Sequence, residues 1–136
     1  MLKQSSDVQN WPCFVLAAYG LSLVTATHWP AASLPQVFNM HDKFLHFSCY
    51  AGLGLLAYWA LSAGGWLGIT VRSIVIIIVA TSVFGAVDEA TQYFAPGRVV
   101  DRFDWVANTL GGAMGVTFYH QFARWIPIQK LGVGGR

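Results

Sequence analysis

Between Asp88 and Asn108 the chain reads DEATQYFAPGRVVDRFDWVAN, and four of its six acidic residues fall there: Asp88, Glu89, Asp101 and Asp104. Neighbouring carboxylates such as Asp88 and Glu89, held away from water, are suited to general acid–base work because burial and mutual repulsion raise a carboxyl pKa. Asp42, Lys43 and His46 form a second group ahead of another apolar run, and an imidazole titrates near neutral pH. Asp88, Glu89 and His46 are therefore the candidates for proton transfer. Arg98, Arg102 and Lys43 could hold a phosphate, an arginine by two oxygens at once. Gln92, Asp101 and Asn108 complete the candidate substrate-binding set. Asp42 and Asp104 read as helix caps, Gly97 as a turn residue, and Gly111 and Gly115 as packing positions.

What positions these groups is a set of long apolar runs. Of 136 residues, 55% are hydrophobic and 10% charged, against a usual charged share of about 25%. With a mean hydropathy of +0.50, this composition points to a chain solvated by lipid. A net charge of +2 with no Lys/Arg stripe argues against nucleic acid. The expected fold is all-α, an integral membrane four-helix bundle in one domain, residues 1–136. Its spans cover approximately residues 12–29, 44–63, 72–94 and 104–126, and 127–136 are expected to be a disordered tail. The β-branched run IVIIIVA at 74–80 looks like a strand, but an open strand edge cannot sit in lipid, so a helix is expected. Ser48 and Gly52 offer a small stripe on the second span; Ala107, Gly111 and Gly115 offer another on the fourth. The first run also fits a cleaved signal peptide, with Lys3 before an apolar core and Ala31-Ala32 after it.

Four spans bring the first and third loops to one membrane face, so Asp42-Lys43 and Arg98–Asp104 should meet. Lys3, Arg72, Arg124, Lys130 and Arg136 fall on one side and Lys43, Arg98 and Arg102 on the other. The excess places the termini in the cytoplasm and the polar cluster outside. Five carboxylates crowd that end with three permanent cations. Asp101 is expected to take Arg98 or Arg102, leaving Asp88 and Glu89 as a coupled pair, and Asp88, Glu89, His46 and Arg98 to share one hydrated pocket. A metal held by His46, Asp88 and Glu89 is opposed by the adjacent basic residues; no metal and no cofactor are expected. Cys13 and Cys49 lack metal or redox spacing and read as buried thiols. His28, His41 and His120 read as interfacial.

The ordered pattern DKFLHFSCY at 42–50, then GAVDEATQYFAPGRVVDRFDWVANTLGGAMG at 85–115, resembles the VanZ-like family of small bacterial membrane proteins. Its motif positions correspond here to Asp42, Lys43, His46, Asp88, Glu89, Gln92, Gly97, Arg98, Asp101, Asp104, Asn108 and Gly111. The resemblance implies a bacterial inner-membrane protein. The family's namesake is linked to low-level resistance to teicoplanin, an antibiotic acting outside the cytoplasmic membrane, and no reaction comes with the resemblance.

Two functions fit these residues. One is a site that binds or processes an anionic lipid or lipid-linked cell-envelope headgroup at the outer leaflet. The other is a non-catalytic scaffold or accessory subunit that docks a membrane protein partner through the GxxxG face and the outer loops. Transport is disfavoured, since no polar path crosses to the other side.

Overall fold

Local chemistry sets each helix end. In the computed structural model, which describes residues 10–30 and 42–125, α1 spans Trp11–Thr27, with Pro12 in the first turn, where its missing N–H costs nothing. α2 spans Asp42–Ala63 and stops at a Schellman motif: Gly65 turns to φ 73°, and the N–H groups of Gly65 and Trp66 reach back to Ser62 O (3.1 Å) and Leu61 O (2.9 Å). α3 spans Val71–Thr91 and is capped by Thr70, whose hydroxyl accepts from Ser73 N at 3.2 Å. It tightens into a 3₁₀ turn, Gln92–Phe94. Ala95-Pro96-Gly97-Arg98 then closes with an Arg98 N–H bond to Ala95 O of 3.1 Å. Pro at the second position and Gly at φ 76° at the third make this a type II turn.

α4 spans Arg102–Trp125 and corrects one expectation. Its cap is Asp101, not Asp104: Asp101 Oδ1 accepts from Phe103 N at 2.8 Å. Asp104 sits one turn in, buried. Asp42 is likewise a first-turn residue of α2 and not the residue before it.

No strand occurs among the described residues, and the β-branched run of residues 74–80 is helical. α2 touches all three other helices, and Tyr50, Tyr58, Ile77 and Val116 are fully buried around it. The tightest approach is between α2 and α4. A carbon added at Gly111 would meet the Phe47 backbone, and one at Gly115 the Ala51 backbone. The GxxxG face is thus used inside the molecule, against α2, which leaves it closed to a partner. Of the other small stripe, Ser48 is exposed and Gly52 lies under Tyr19 of α1.

Val75, Val79, Val83 and Val87 line an exposed apolar face along α3, the kind of surface that lipid solvates. Asp42–Ala63 and Val71–Phe94 are long and apolar enough to cross a membrane. α1, at 17 residues, is about 25 Å long at roughly 1.5 Å per residue. α4 has the length, 24 residues, with more polar groups along it. The expected tail, residues 127–136, lies outside the described residues, as do His41 and most of the 30–41 loop.

Candidate functional site

The end of α1, the start of α2, the end of α3 and the start of α4 converge, as the parity of the spans requires. Lys43 of α2 donates to Asp101 Oδ2 at 2.7 Å and to Asp104 Oδ1 at 2.9 Å, joining the first and third loops. Asp101 therefore takes Lys43, not Arg98 or Arg102. The ammonium, with help from the Phe103 N–H, holds the Asp101 carboxyl below the usual carboxylate range. Arg102 lies over the Phe103 ring, 5.2 Å from its centroid.

Arg98 pairs with no carboxylate among the described residues. Its Nε donates to Trp29 O at 3.1 Å and Nη2 to Ala26 O at 3.4 Å. These are carbonyls at the C-terminus of α1, where helix geometry leaves acceptor capacity for a side chain; Ala26 O also accepts from Trp29 N at 3.3 Å.

Asp88 and Glu89 face different neighbours, because adjacent helical residues point about 100° apart. Asp88 Oδ1 accepts from the Thr27 hydroxyl at 2.9 Å and Oδ2 from the Tyr50 phenol at 3.0 Å. His28 Nδ1 stands 3.7 Å away, and its Nε2 meets the Thr91 hydroxyl at 3.0 Å. Glu89 Oε1 accepts the Asp101 N–H at 2.7 Å, and Oε2 the Gln92 amide at 3.3 Å. The two carboxylates thus have separate donors instead of competing for one set. Both are 3% exposed, which makes such complete pairing necessary.

His46 completes the convergence. Nδ1 lies 3.0 Å from Asn108 Oδ1; a carbonyl oxygen only accepts, so Nδ1 carries the proton. Asn108 is fully buried, and its Nδ2 has no hydrogen-bond partner among the described residues. The buried amide therefore leaves both N–H donors of Nδ2 without a partner among the described residues while its oxygen meets the His46 ring.

A cavity of about 730 Å³ opens between α1 and α2, well inside the range of small-molecule sites. Asp42, Leu45, His46, Trp29 and Arg98 line it at the polar end, and Leu21, Cys49 and Tyr50 farther along the helices. His46 and Arg98 thus share one wall as expected, whereas Asp88 and Glu89 are not among the lining residues. Tyr50 stands between the cavity and Asp88. Gly97 does its expected work in the turn, and Gln92 is buried beside Glu89.

Thr27 and Tyr50 are not among the sequence candidates, and His28 read only as interfacial. Tyr50 carried a signal: Asp42, His46 and Tyr50 recur every fourth residue along one helix face. His120, also expected to be interfacial, is instead buried at the opposite end against the Tyr58 phenol at 3.0 Å.

Sequence comparison supplies the family. The profile described as VanZ/LLP1 matches residues 4–124. The chain belongs to the VanZ/LLP1 family. That match takes in α1, which the motif pattern at 42–50 and 85–115 did not reach. No curated protein and no solved structure matches the chain. With two membrane-length helices, this VanZ/LLP1 chain is a helical membrane protein.

Proposed function

We propose that the cavity between α1 and α2 binds an anionic lipid or lipid-linked cell-envelope headgroup. The observation that carries this reading is the cavity's polarity along its length. Its lining passes from Asp42, His46, Arg98 and an indole at the end of the bundle to Leu21, Cys49 and Tyr50, one to two turns farther along the helices. A headgroup joined to an acyl chain has the same order. Arg98 has Nη1 unbonded among the described residues, because only Nε and Nη2 reach carbonyls, and that N–H group can meet a phosphate oxygen.

The protein sits in this reading as a multi-pass protein of the bacterial inner membrane, termini in the cytoplasm. The polar end then faces the outer leaflet, following the excess of Lys and Arg on the opposite side. Of the three candidates for proton transfer, His46 alone lines the cavity. Asp88 and Glu89 act on a ligand by positioning, through Tyr50 and through the Asp101 peptide.

The test is lipid retention by the purified protein in nanodiscs of phosphatidylglycerol or phosphatidylcholine, read by native mass spectrometry. Wild type should retain the anionic lipid preferentially; Leu45→Trp, which fills the cavity, and Arg98→Gln should each reduce that retention several-fold. Equal retention of both lipids by wild type, or unchanged retention in both variants, would sink the proposal. Retention of a lipid-linked sugar phosphate over phosphatidylglycerol would assign the larger headgroup.

A further inference from the structure

We propose that Asp42, His46 and Asp104 form a binding site for one divalent transition-metal ion, of the Mn²⁺ or Zn²⁺ kind, at the polar end of the cavity. One ligand atom from each lies within 4.8 Å of the other two. His46 Nε2 is 3.6 Å from Asp42 Oδ1 and 3.9 Å from Asp104 Oδ2.

The ring nitrogen makes the argument. His46 is 7% exposed, and with Nδ1 bonded to Asn108 Oδ1 the ring turns Nε2, the nitrogen left to act as a ligand, toward the two carboxylates. Nε2 has no hydrogen bond among the described residues. The two carboxylate oxygens nearest to it are themselves acceptors, so three acceptors face one gap with no donor between them. A second proton on the ring would not close that gap, since N–H···O bonds run about 2.7–3.2 Å and both separations are longer. An ion can. Ligand atoms each about 2.1 Å from a common ion stand roughly 3.0–4.2 Å apart, depending on the angle between them. The pair distances at His46 fall within that span.

The surroundings fit as well. Asn108 fixes the tautomer and tilt of the ring in the way that partners of metal-bound histidines do. Lys43 holds the other oxygen of Asp104 at 2.9 Å, which orients Oδ2 toward His46 without occupying it. The set is three protein ligands with Asp42 and His46 on a cavity wall, an arrangement that keeps coordination positions open. One imidazole with two carboxylates suits Mn²⁺, Fe²⁺ or Zn²⁺ better than Mg²⁺ or Ca²⁺, which favour oxygen alone. The proposal departs from the expectation that no metal binds, which weighed only His46 with Asp88 and Glu89, whose carboxylates are engaged elsewhere.

An ion here also resolves a difficulty of charge. The cavity wall carries Asp42 beside a single permanent cation, Arg98, already engaged with two carbonyls. A carboxylate on the cavity wall repels an anionic headgroup; with a divalent ion bound to it the wall attracts one, and a phosphate oxygen can complete the coordination shell. The ion site stands on its own residues, whereas its tie to a headgroup rests on the lipid reading above.

The experiment uses tag-free protein in detergent, stripped with a chelator and titrated with Mn²⁺ alone while the free-ion EPR signal is followed. Wild type should take up one Mn²⁺ per chain, displaceable by Zn²⁺. Asp42→Asn, at a partly exposed position whose ion pair among the described residues is with His46, should fold normally and bind at least about tenfold more weakly. His46→Gln should abolish uptake. Arg98→Gln should leave Mn²⁺ binding unchanged, so loss of lipid retention and loss of metal separate the two proposals. No stoichiometric uptake at millimolar Mn²⁺ or Zn²⁺ would overturn the site. So would equal affinity in wild type and Asp42→Asn, which would place the ion elsewhere.

Discussion

Replacing Gly115 by alanine adds one carbon where α2 already stands. That carbon would lie 2.8 Å from the Ala51 carbonyl carbon and 2.9 Å from Leu55 N, and closer still to the Ala51 oxygen. Comfortable separations are about 3.5–4.0 Å. The obstacle is backbone, so no rotamer relieves it, and the helices must part by roughly an ångström. Overpacking of this kind costs about 1–3 kcal/mol. Parting α2 from α4 also strains the Lys43–Asp104 and His46–Asn108 bonds that cross the same interface, so the upper half of that range is expected. Intrinsic tryptophan fluorescence during a thermal ramp in detergent should show the variant melting on the order of 10 °C below wild type. Gly20→Ala is the matched control. It lies inside α1, and a carbon added there meets nothing within 4 Å, so it should be neutral or stabilising by up to about 1 kcal/mol through helix propensity. If Gly115→Ala melts no lower than Gly20→Ala, the glycines of α4 do not hold that interface and the packing argument fails.

Two further substitutions probe the polar end. Lys43→Met removes the shared donor of Asp101 and Asp104 and leaves buried Asp104 without its ammonium; the expected loss is about 1–2 kcal/mol, read as a lower melting temperature that Lys43→Arg largely restores. Arg98→Lys keeps the charge but replaces the planar fork, whose two nitrogens reach the Ala26 and Trp29 carbonyls, by a single nitrogen that loses the geometry of one of the two bonds. Amide exchange over the last turn of α1 should accelerate, by the roughly 1 kcal/mol of one lost bond, while exchange in α4 stays unchanged; equal protection in both proteins would show that Arg98 does not hold that end.

The helices and their meeting point were legible because apolar length, Pro-Gly breaks and span parity are properties of the chain itself. Partners were less so. Counting charges assigned Arg98 to a carboxylate, yet the open carbonyls at the end of α1 are acceptors that no residue count includes. Adjacency in sequence suggested that Asp88 and Glu89 act together, whereas helical rotation turns one toward Tyr50 and Thr27 and the other toward the Asp101 peptide. The cap of α4 moved from Asp104 to Asp101 for a related reason. Both are aspartates within a turn of the helix start, and only the path of the preceding chain decides which meets free N–H groups. Asp104 thereby came to face His46, a neighbour with no sequence signal.

Asp101 also bears on how this chain tolerates changes of length. Its N–H reaches Glu89, one carboxylate oxygen accepts from Phe103 N, and the other accepts from Lys43. A single loop residue so engaged fixes the number of residues between α3 and α4, since one inserted or deleted position would carry Asp101 away from all three partners. The connection at 64–70 is held less widely: its backbone-to-backbone bonds stay within the turn and the adjoining helix ends, and Thr70 O accepts from the Tyr58 phenol at 3.2 Å. Insertions, epitopes and reporter fusions should therefore survive at 64–70 and fail at 95–101, and natural length variation should concentrate in the first of these turns.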